Sequence, residues 1–281
     1  MDFTVRLARP DDVAHIVPWT TDTFEWGDYV PDRLPIWLDD DASAVLVCSD
    51  EDDLPLAVSH AVMLSPNEGW IEAARVHPDH RRAGMGVAMN RAGVEWARDR
   101  GGRVMRLATE ASNEAARLQV TKLGYRKVSS WVYASMKVDP GHRGHERHRL
   151  RPAPGPDAEA AWLSWVGSDL ALGGRELIAL GWQWRTARPV DVVSAASRGE
   201  FFQSPAGWVI ADMPQEDWLR SLWVATGPDD ILGLLDGLID LAASREATEV
   251  TIKLPNLPWT AEALTRVGGT PKEVLVYSLA I

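Results

Sequence analysis

Residues 76–86 read Val-His-Pro-Asp-His-Arg-Arg-Ala-Gly-Met-Gly, and their types and spacing suit the capture of a phosphorylated anion. Gly84 and Gly86 carry no side chain, so the backbone turns sharply there and brings its N–H groups close to a ligand. Arg81 and Arg82 add formal positive charge, and a following helix adds the partial charge of its N-terminus. The flanks supply those elements: Trp70 to Val76 reads as an extended run, and Met85 to Arg100 as a long amphipathic pattern. The unit is strand, basic glycine turn, helix. Its spacing is neither Gly-x-x-x-x-Gly-Lys-Ser/Thr, which suits a nucleoside triphosphate with magnesium, nor Gly-x-Gly-x-x-Gly. An ordinary glycine-bearing turn with surface arginines is the plain alternative.

The elements around the turn fall in a simple order. Thr4–Leu7 reads as a strand, Asp11 or Asp12 caps a helix toward Val17, and residues 20–40 form an irregular helix and loop. Ala44–Cys48 and Leu56–Leu64 are neighbouring strands, followed by the strand–turn–helix unit. Val104–Thr109, Glu114–Leu123 and Lys127–Val138 then read as strand, helix and strand. Asn113, Ala116, Leu123, Gly124 and Tyr125 form a second motif, Asn-x-x-Ala-x(6)-Leu-Gly-aromatic.

With its Val-x-Pro-x-x-Arg-x-x-Gly-x-Gly turn, this motif and the element order over residues 3–138, the first half resembles the GNAT superfamily of N-acetyltransferases. The resemblance implies an α+β domain, a mixed and mostly antiparallel sheet flanked by helices, with acetyl-CoA as acyl donor. It places Arg75 and Val76 beside the thioester, and Arg81, Arg82, Ala83, Gly84, Met85, Gly86 and Val87 on the pyrophosphate. Asn113 and Ala116 go with the pantetheine arm. Many members put a tyrosine seven residues after that asparagine as general acid; here the position is Val120. Another donor (water, Tyr133 or Ser112) takes that role, or the thiolate departs unassisted.

Acetyl transfer to an amine requires a polarised thioester and a neutral nucleophile. By the period of two in a strand, Trp70, Glu72, Ala74 and Val76 share one face. Glu72 is therefore the first candidate for general base and Glu110, after the next strand, the second. The plain alternative for Glu72 is a solvated residue, or one paired with Arg75 or Arg106. Asp22, Glu25 and Trp26 lie in the region that covers the acceptor in the GNAT family, and acids beside Trp19, Trp26 and Trp37 suit a cationic amine.

Composition bounds the rest. The 281 residues carry a net charge of −11, unevenly placed. Residues 1–53 hold 3 basic against 14 acidic side chains, whereas residues 54–138 hold 13 against 7. So acidic a chain is a poor nucleic-acid binder. It has no apolar run of membrane-spanning length, and it opens on a strand-like pattern rather than a signal core. The single cysteine, Cys48, sits in an apolar strand, where an inert thiol is expected, and fits a cytoplasmic location.

Residues 139–148 contain Pro, Gly and three histidines and read as a polar linker rather than a metal site. After it the order begins again. Arg149-Leu150-Arg151-Pro152 echoes Arg6-Leu7-Ala8-Arg9-Pro10, Asp157–Val166 and Glu176–Arg185 read as helices, and Asp229–Ala243, Glu249–Leu254, Thr260–Val267 and Glu273–Leu279 follow as helix, strand, helix and strand. The expected organisation is an acetyl-CoA-binding domain over 1–138, a linker over 139–148 and a degenerate second GNAT-like domain over 149–281. In the second copy the turn reads Val224-Ala-Thr-Gly-Pro-Asp-Asp230, and two aspartates there would repel a pyrophosphate.

Fourteen tryptophans, eight of them after residue 138, point to a sizeable interdomain or dimer contact, so a homodimer is one expectation. The functional expectation is acetyl transfer from acetyl-CoA to a primary amine of a small molecule, by direct attack in a ternary complex and with no metal. A protein or peptide N-acetyltransferase is the alternative within the class. A non-catalytic CoA-binding sensor or scaffold is the alternative outside it.

Overall fold

The computed structural model describes residues 2–23 and 27–281. They divide into two compact units, one made of residues 1–107, 115–126 and 277–281, the other of 108–114 and 127–276. The units interleave along the chain and so differ from a consecutive division at 138 and 149. Residues 127–138 count with the second unit and 277–281 with the first.

The first unit runs β1 (Thr4–Leu7), α1 (Val13–Thr20), α2 (Val30–Leu38), β2 (Ser43–Ser49), β3 (Pro55–Ser65), β4 (Glu68–Val76), α3 (Met85–Asp99), then β5 (Val104–Glu110), which it shares with the second unit, and α4 (Glu114–Lys122). β1 to β4 pair antiparallel in sequence order, and β5 lies parallel to β4. A parallel pair needs a crossover, and α3 supplies it. β2 is buried from Ala44 to Ser49, as a strand covered on both faces must be. Val45 and Val47 pack with Ile16, Leu34 and Trp37 of α1 and α2, and Cys48 packs with Met85 and Met89 of α3. On α3 the buried Met85, Met89, Gly93 and Ala97 recur every four residues, the spacing of a helix with one apolar stripe.

The second unit contains β6 (Arg126–Lys137), β7 (Arg151–Pro152), α5 (Asp157–Trp165), α6 (Asp169–Gly173), β8 (Leu177–Leu180), β9 (Gln183–Thr186), α7 (Pro189–Arg198), β10 (Phe201–Ser204), β11 (Gly207–Gln215), β12 (Trp218–Ala225), α8 (Ile231–Ser244), β13 (Glu249–Pro255), α9 (Pro258–Arg266) and the start of β14 (Lys272–Ala280). It repeats the senses of the first. β7, β10, β11 and β12 pair antiparallel, and β13 joins β12 in parallel across α8. The fold is α+β, with a mixed and mostly antiparallel sheet in each unit. No helix among the described residues is long and apolar enough to cross a membrane.

Two readings of the sequence change. Glu176–Arg185 is not a helix: Leu177–Leu180 and Gln183–Thr186 form an antiparallel hairpin, and the helix comes later, at Pro189. Gly181, with φ of +70° between the strands, supplies the turn that the apolar spacing concealed. The segment 139–148 is not a free linker either. The N–H groups of Gly144 and His145 donate to Asp240 and Asp236 of α8 at 3.0 and 2.9 Å, and His148 Nδ1 lies 3.2 Å from Asp236.

The strap lies so close that a Cβ on Gly237 would come within 2.2 Å of the His148 carbonyl oxygen. Gly237→Ala is therefore expected to lift the strap and cost about 1–3 kcal/mol, read as a lower thermal unfolding midpoint. Gly155→Ala, at a site with open space around it, should leave the midpoint in place. Equal midpoints for both variants would show that the strap contributes nothing to stability.

Candidate functional site

The site begins with a fault in β4. Val58 of β3 pairs with Arg75 and His60 pairs with Glu72, so Ser59 alone faces both Ala73 and Ala74. This is a β-bulge, and Ala73 takes the left-handed conformation with φ of +57°. The bulge resets the alternation. Trp70 and Glu72 share their face with Arg75, whereas Val76 packs with Cys48, Ala57, Met85 and Met89 on the α3 side. The expectation of one face for Trp70, Glu72, Ala74 and Val76 thus fails after Glu72, because a period of two cannot register an inserted residue.

On the Glu72 face the carboxylate is largely enclosed, its side chain 14% exposed. Trp70 Nε1 donates to Oε2 at 3.1 Å, and His60 Nδ1 stands 3.1 Å from Oε1. His60 stacks on Trp37, centroids 4.3 Å apart and planes 9° from parallel, and Trp37 meets the ring of Tyr29 edge-on. The arginines that stood as alternative partners of Glu72 are engaged elsewhere. Arg75 grips Asp28 with Nε and Nη2 at 2.6 and 3.0 Å, and Arg106 pairs with Glu68. Burial pushes the Asp28 carboxyl up, but hydrogen bonds from Arg75, Thr23 and the Val30 N–H together with the charge of Arg75 outweigh it and hold the group below its ordinary value. Burial first, and the negative charge of Glu72 second, push the Tyr29 hydroxyl up to about 12.

After Val76 the chain makes a short 3-10 turn at Pro78–His80 and passes Arg82 at φ of +69° and Gly84 at +85° before α3 starts at Met85. Gly84 meets nothing within 4 Å of a would-be Cβ; the conformation alone calls for glycine there. Beside this turn lies a cleft of about 560 Å³, lined by Val76, Arg82, Ala83, Gly84, Met85, Gly86 and Val87 and by α4. Arg91 and Lys122 add two cations to its wall. The opening backbone of α3, with N–H groups that have no partner inside the helix, and three cationic side chains give a site that attracts an anion.

Other sequence candidates fall elsewhere. Arg81 does not line the cleft, and neither do the side chains of Arg75 or Ala116. Asn113 is exposed in the second unit. There Glu110 accepts from Tyr133 Oη at 2.8 Å and from Ser112 Oγ at 3.5 Å, and burial with Glu110 raises the Tyr133 hydroxyl above its ordinary value. Val120 is buried in α4, and Tyr125 is buried with its hydroxyl accepting from Asn90 at 3.3 Å. Asp22 is exposed. Glu25 and Trp26 lie outside the described residues. Sequence reasoning missed Arg91 and Lys122, although Arg91 stands seven residues after Gly84, two turns along the same helix face. It also missed His60, whose signal was only its place on a strand next to that of Glu72.

Residues 13–125 match the family model of the acetyltransferase (GNAT) family. That match lies within the first half of the chain and is to a GNAT acetyltransferase domain. Members of the family use acetyl-CoA as donor, which sets the enzyme class as acetyl-CoA-dependent acyl transfer. Over the whole chain the fold is similar to a GCN5-related N-acetyltransferase from Sphaerobacter thermophilus, at 17% identity and a TM-score of 0.69, covering 99% of this chain and 95% of that one. It is also similar to a GCN5-related glucosamine N-acetyltransferase region of a fungal multi-domain GH3 β-N-acetylglucosaminidase, at 14% identity and a TM-score of 0.68, covering 99% of this chain and 38% of that one. At these identities the likeness speaks for the fold. No curated protein sequence matches the chain.

The second unit repeats the parallel strand pairing of the first. β12 and β13 pair over Trp218–Arg220 and Glu249–Thr251, as β4 and β5 pair over Glu68–Trp70 and Val104–Arg106. Beyond that pairing, Leu222, Trp223, Lys253 and Leu254 meet Trp131, Trp165 and Leu170, and about 10 Å³ is left between them. That is room for about one water molecule.

Lys253 is 5% exposed, with its ammonium 5.6 Å from the Trp182 ring centre. Burial first, then the charge of Arg220, push its amine down to about 8, against the opposing pull of Asp212. The unfolded amine keeps its ordinary value of 10.5. The charged lysine therefore destabilises the folded state fully below pH 8, and this cost fades as pH rises toward 10.5. Lys253→Met is expected to raise the unfolding free energy at pH 7 by up to about 3 kcal/mol, with the gain shrinking between pH 8 and 10.5. A gain that is absent, or independent of pH, would contradict this account.

Proposed function

We propose that the first unit binds one acetyl-CoA and transfers its acetyl group to a primary amine of a small molecule, with Glu72 as general base. The observation that carries this reading is the pairing, within one unit, of a cationic cleft at the start of α3 with an enclosed carboxylate on the strand that leads into it. The pyrophosphate would lie against the Gly84–Val87 backbone, with Arg82, Arg91 and Lys122 as its cationic wall.

The acceptor would arrive as an ammonium, attracted by Glu72 and flanked by the aromatic rings of Tyr29 and Trp70. Glu72 takes one proton from it. The neutral amine then attacks the thioester carbonyl, the C–N bond forms and the C–S bond breaks, and the second proton shed by the attacking nitrogen passes through water to the departing thiolate. A thiol is acidic enough for that departure without a side-chain acid, which agrees with the buried valine at position 120.

Calorimetric titration with acetyl-CoA is expected to give one site per chain. Arg82→Glu should weaken binding about tenfold or more, whereas Arg81→Glu, outside the cleft, should change it less than about threefold. A stoichiometry of two, or the reverse order of the two variants, would overturn the placement of the donor.

Thiol release from acetyl-CoA against a panel of glucosamine, linear polyamines, amino-acid esters and short peptides measures turnover. With the fastest amine, Glu72→Gln should lower kcat about a hundredfold and remove the acidic limb of the rate profile, while acetyl-CoA affinity stays within twofold. An unchanged profile moves the base elsewhere. Binding without turnover on any amine would favour a sensor over an enzyme.

A further inference from the structure

His60 is fully enclosed, 2% exposed, in the middle of β3. One ring nitrogen, Nδ1, stands 3.1 Å from Glu72 Oε1, and the other, Nε2, is buried with no hydrogen-bond partner among the described residues. An ionised carboxylate only accepts, so Nδ1 carries the proton in this contact. The ring is held flat against Trp37, which fixes the direction in which Nδ1–H points. Trp70 Nε1 holds the other oxygen at 3.1 Å. Each oxygen of Glu72 thus has one rigid donor mounted on an aromatic ring in the core, and the carboxylate cannot leave its rotamer without losing both.

Among the described residues Nε2 meets no partner to which it could pass a proton, and the role the contacts support for the imidazole is orientation of its neighbour. An apolar ring would fill the same space without an orphaned nitrogen; what histidine adds is the Nδ1–H donor.

We propose that His60 is the positioning residue of the acceptor side: its Nδ1–H, fixed by the stack on Trp37, holds the Glu72 carboxylate in a single orientation toward the incoming amine. This rests on the reading of Glu72 as the base. Among the described residues, the titratable and charged groups set around Glu72 are His60 on β3, Arg75 on its own strand, and Asp28 and Tyr29 ahead of α2. Arg75 grips Asp28 and lies over the Tyr29 ring, whereas His60 contacts a Glu72 oxygen directly.

The test compares three single substitutions, His60→Phe, His60→Asn and Glu72→Gln, with acetyl-CoA and the fastest amine of the panel as probes. Phenylalanine keeps the ring on Trp37 and removes the donor. Asparagine loses the stack but carries an amide N–H at the position of Nδ1. Thermal unfolding establishes that each variant is folded. His60→Phe should lower kcat about tenfold and move the acidic limb of the rate profile to higher pH, because a carboxylate that loses a donor holds its proton more tightly. KM for the amine and the affinity for acetyl-CoA should stay within about twofold. His60→Asn should return the limb to its original position.

A folded His60→Phe with unchanged kcat and limb overturns the inference if Glu72→Gln has removed the limb. If Glu72→Gln leaves the limb in place, the base reading itself fails and the inference falls with it. Equal loss in the phenylalanine and asparagine variants assigns His60 to packing and likewise overturns the proposal.

Discussion

The bulge at Ala73–Ala74 is the constraint on which the site depends. A regular β4 would put Glu72, Ala74 and Val76 on one face of the sheet and leave the chain entering its glycine turn from that face. With one residue inserted, Glu72 and Arg75 stay on the side of α1 and α2, and Val76 rolls to the side of α3. A single strand therefore serves both covered faces. Its first part carries a carboxylate walled by aromatic rings, and its last residue lines the cationic cleft from which α3 departs. The left-handed Ala73 is a cost that regular pairing would not carry. It is held in place because both neighbours of the bulge are anchored, Glu72 by His60 and Trp70 and Arg75 by Asp28.

Comparison of the two units gives this geometry its functional meaning. Both make three antiparallel pairs and then a parallel one, and both stop the parallel register after three residues. In the first unit the helix that follows is opened by Gly84 with Arg82 close by. In the second, Asp229 and Asp230 precede α8, and these carboxylates suit the helix terminus as its own counter-charge. Tryptophan and leucine fill the space beside β12 and β13. The same order of strand senses thus goes with a cationic cleft beside α3 in one unit and a closely packed space beside β12 and β13 in the other. A buried lysine within that core is consistent with a region where packing rather than ligand sets the requirement.

Much of this was legible in the sequence because it is periodic. The five-residue apolar run of β2, the four-residue stripe of α3 and the glycine turn each follow from local chemistry, and their boundaries agree with the structure to within a few residues. What escaped is what periodicity cannot carry. Glu176–Arg185 has helical apolar spacing, yet a glycine in the left-handed region breaks it into a hairpin. The strap at 139–148 looks like a linker because its partners, Asp236 and Asp240, lie some ninety residues on. Interleaving of the units depends on contacts between residues far apart in the chain, and no local signal marks it.

His60 shows the same limit at the scale of a single residue. In the sequence it is one histidine in an apolar strand, and a satisfied core histidine is the ordinary expectation for such a place. Only the register of β3 against β4 puts it opposite Glu72, and that register is itself displaced by the bulge. Had the strands paired without it, the residue opposite His60 would have been Ala73, given the Val58–Arg75 pair as anchor, and His60 would not stand opposite the carboxylate. The insertion that divides β4 between two faces is therefore also what brings His60 and Glu72 together, so the orientation of the proposed base and the route of the chain into the anion cleft follow from one backbone irregularity.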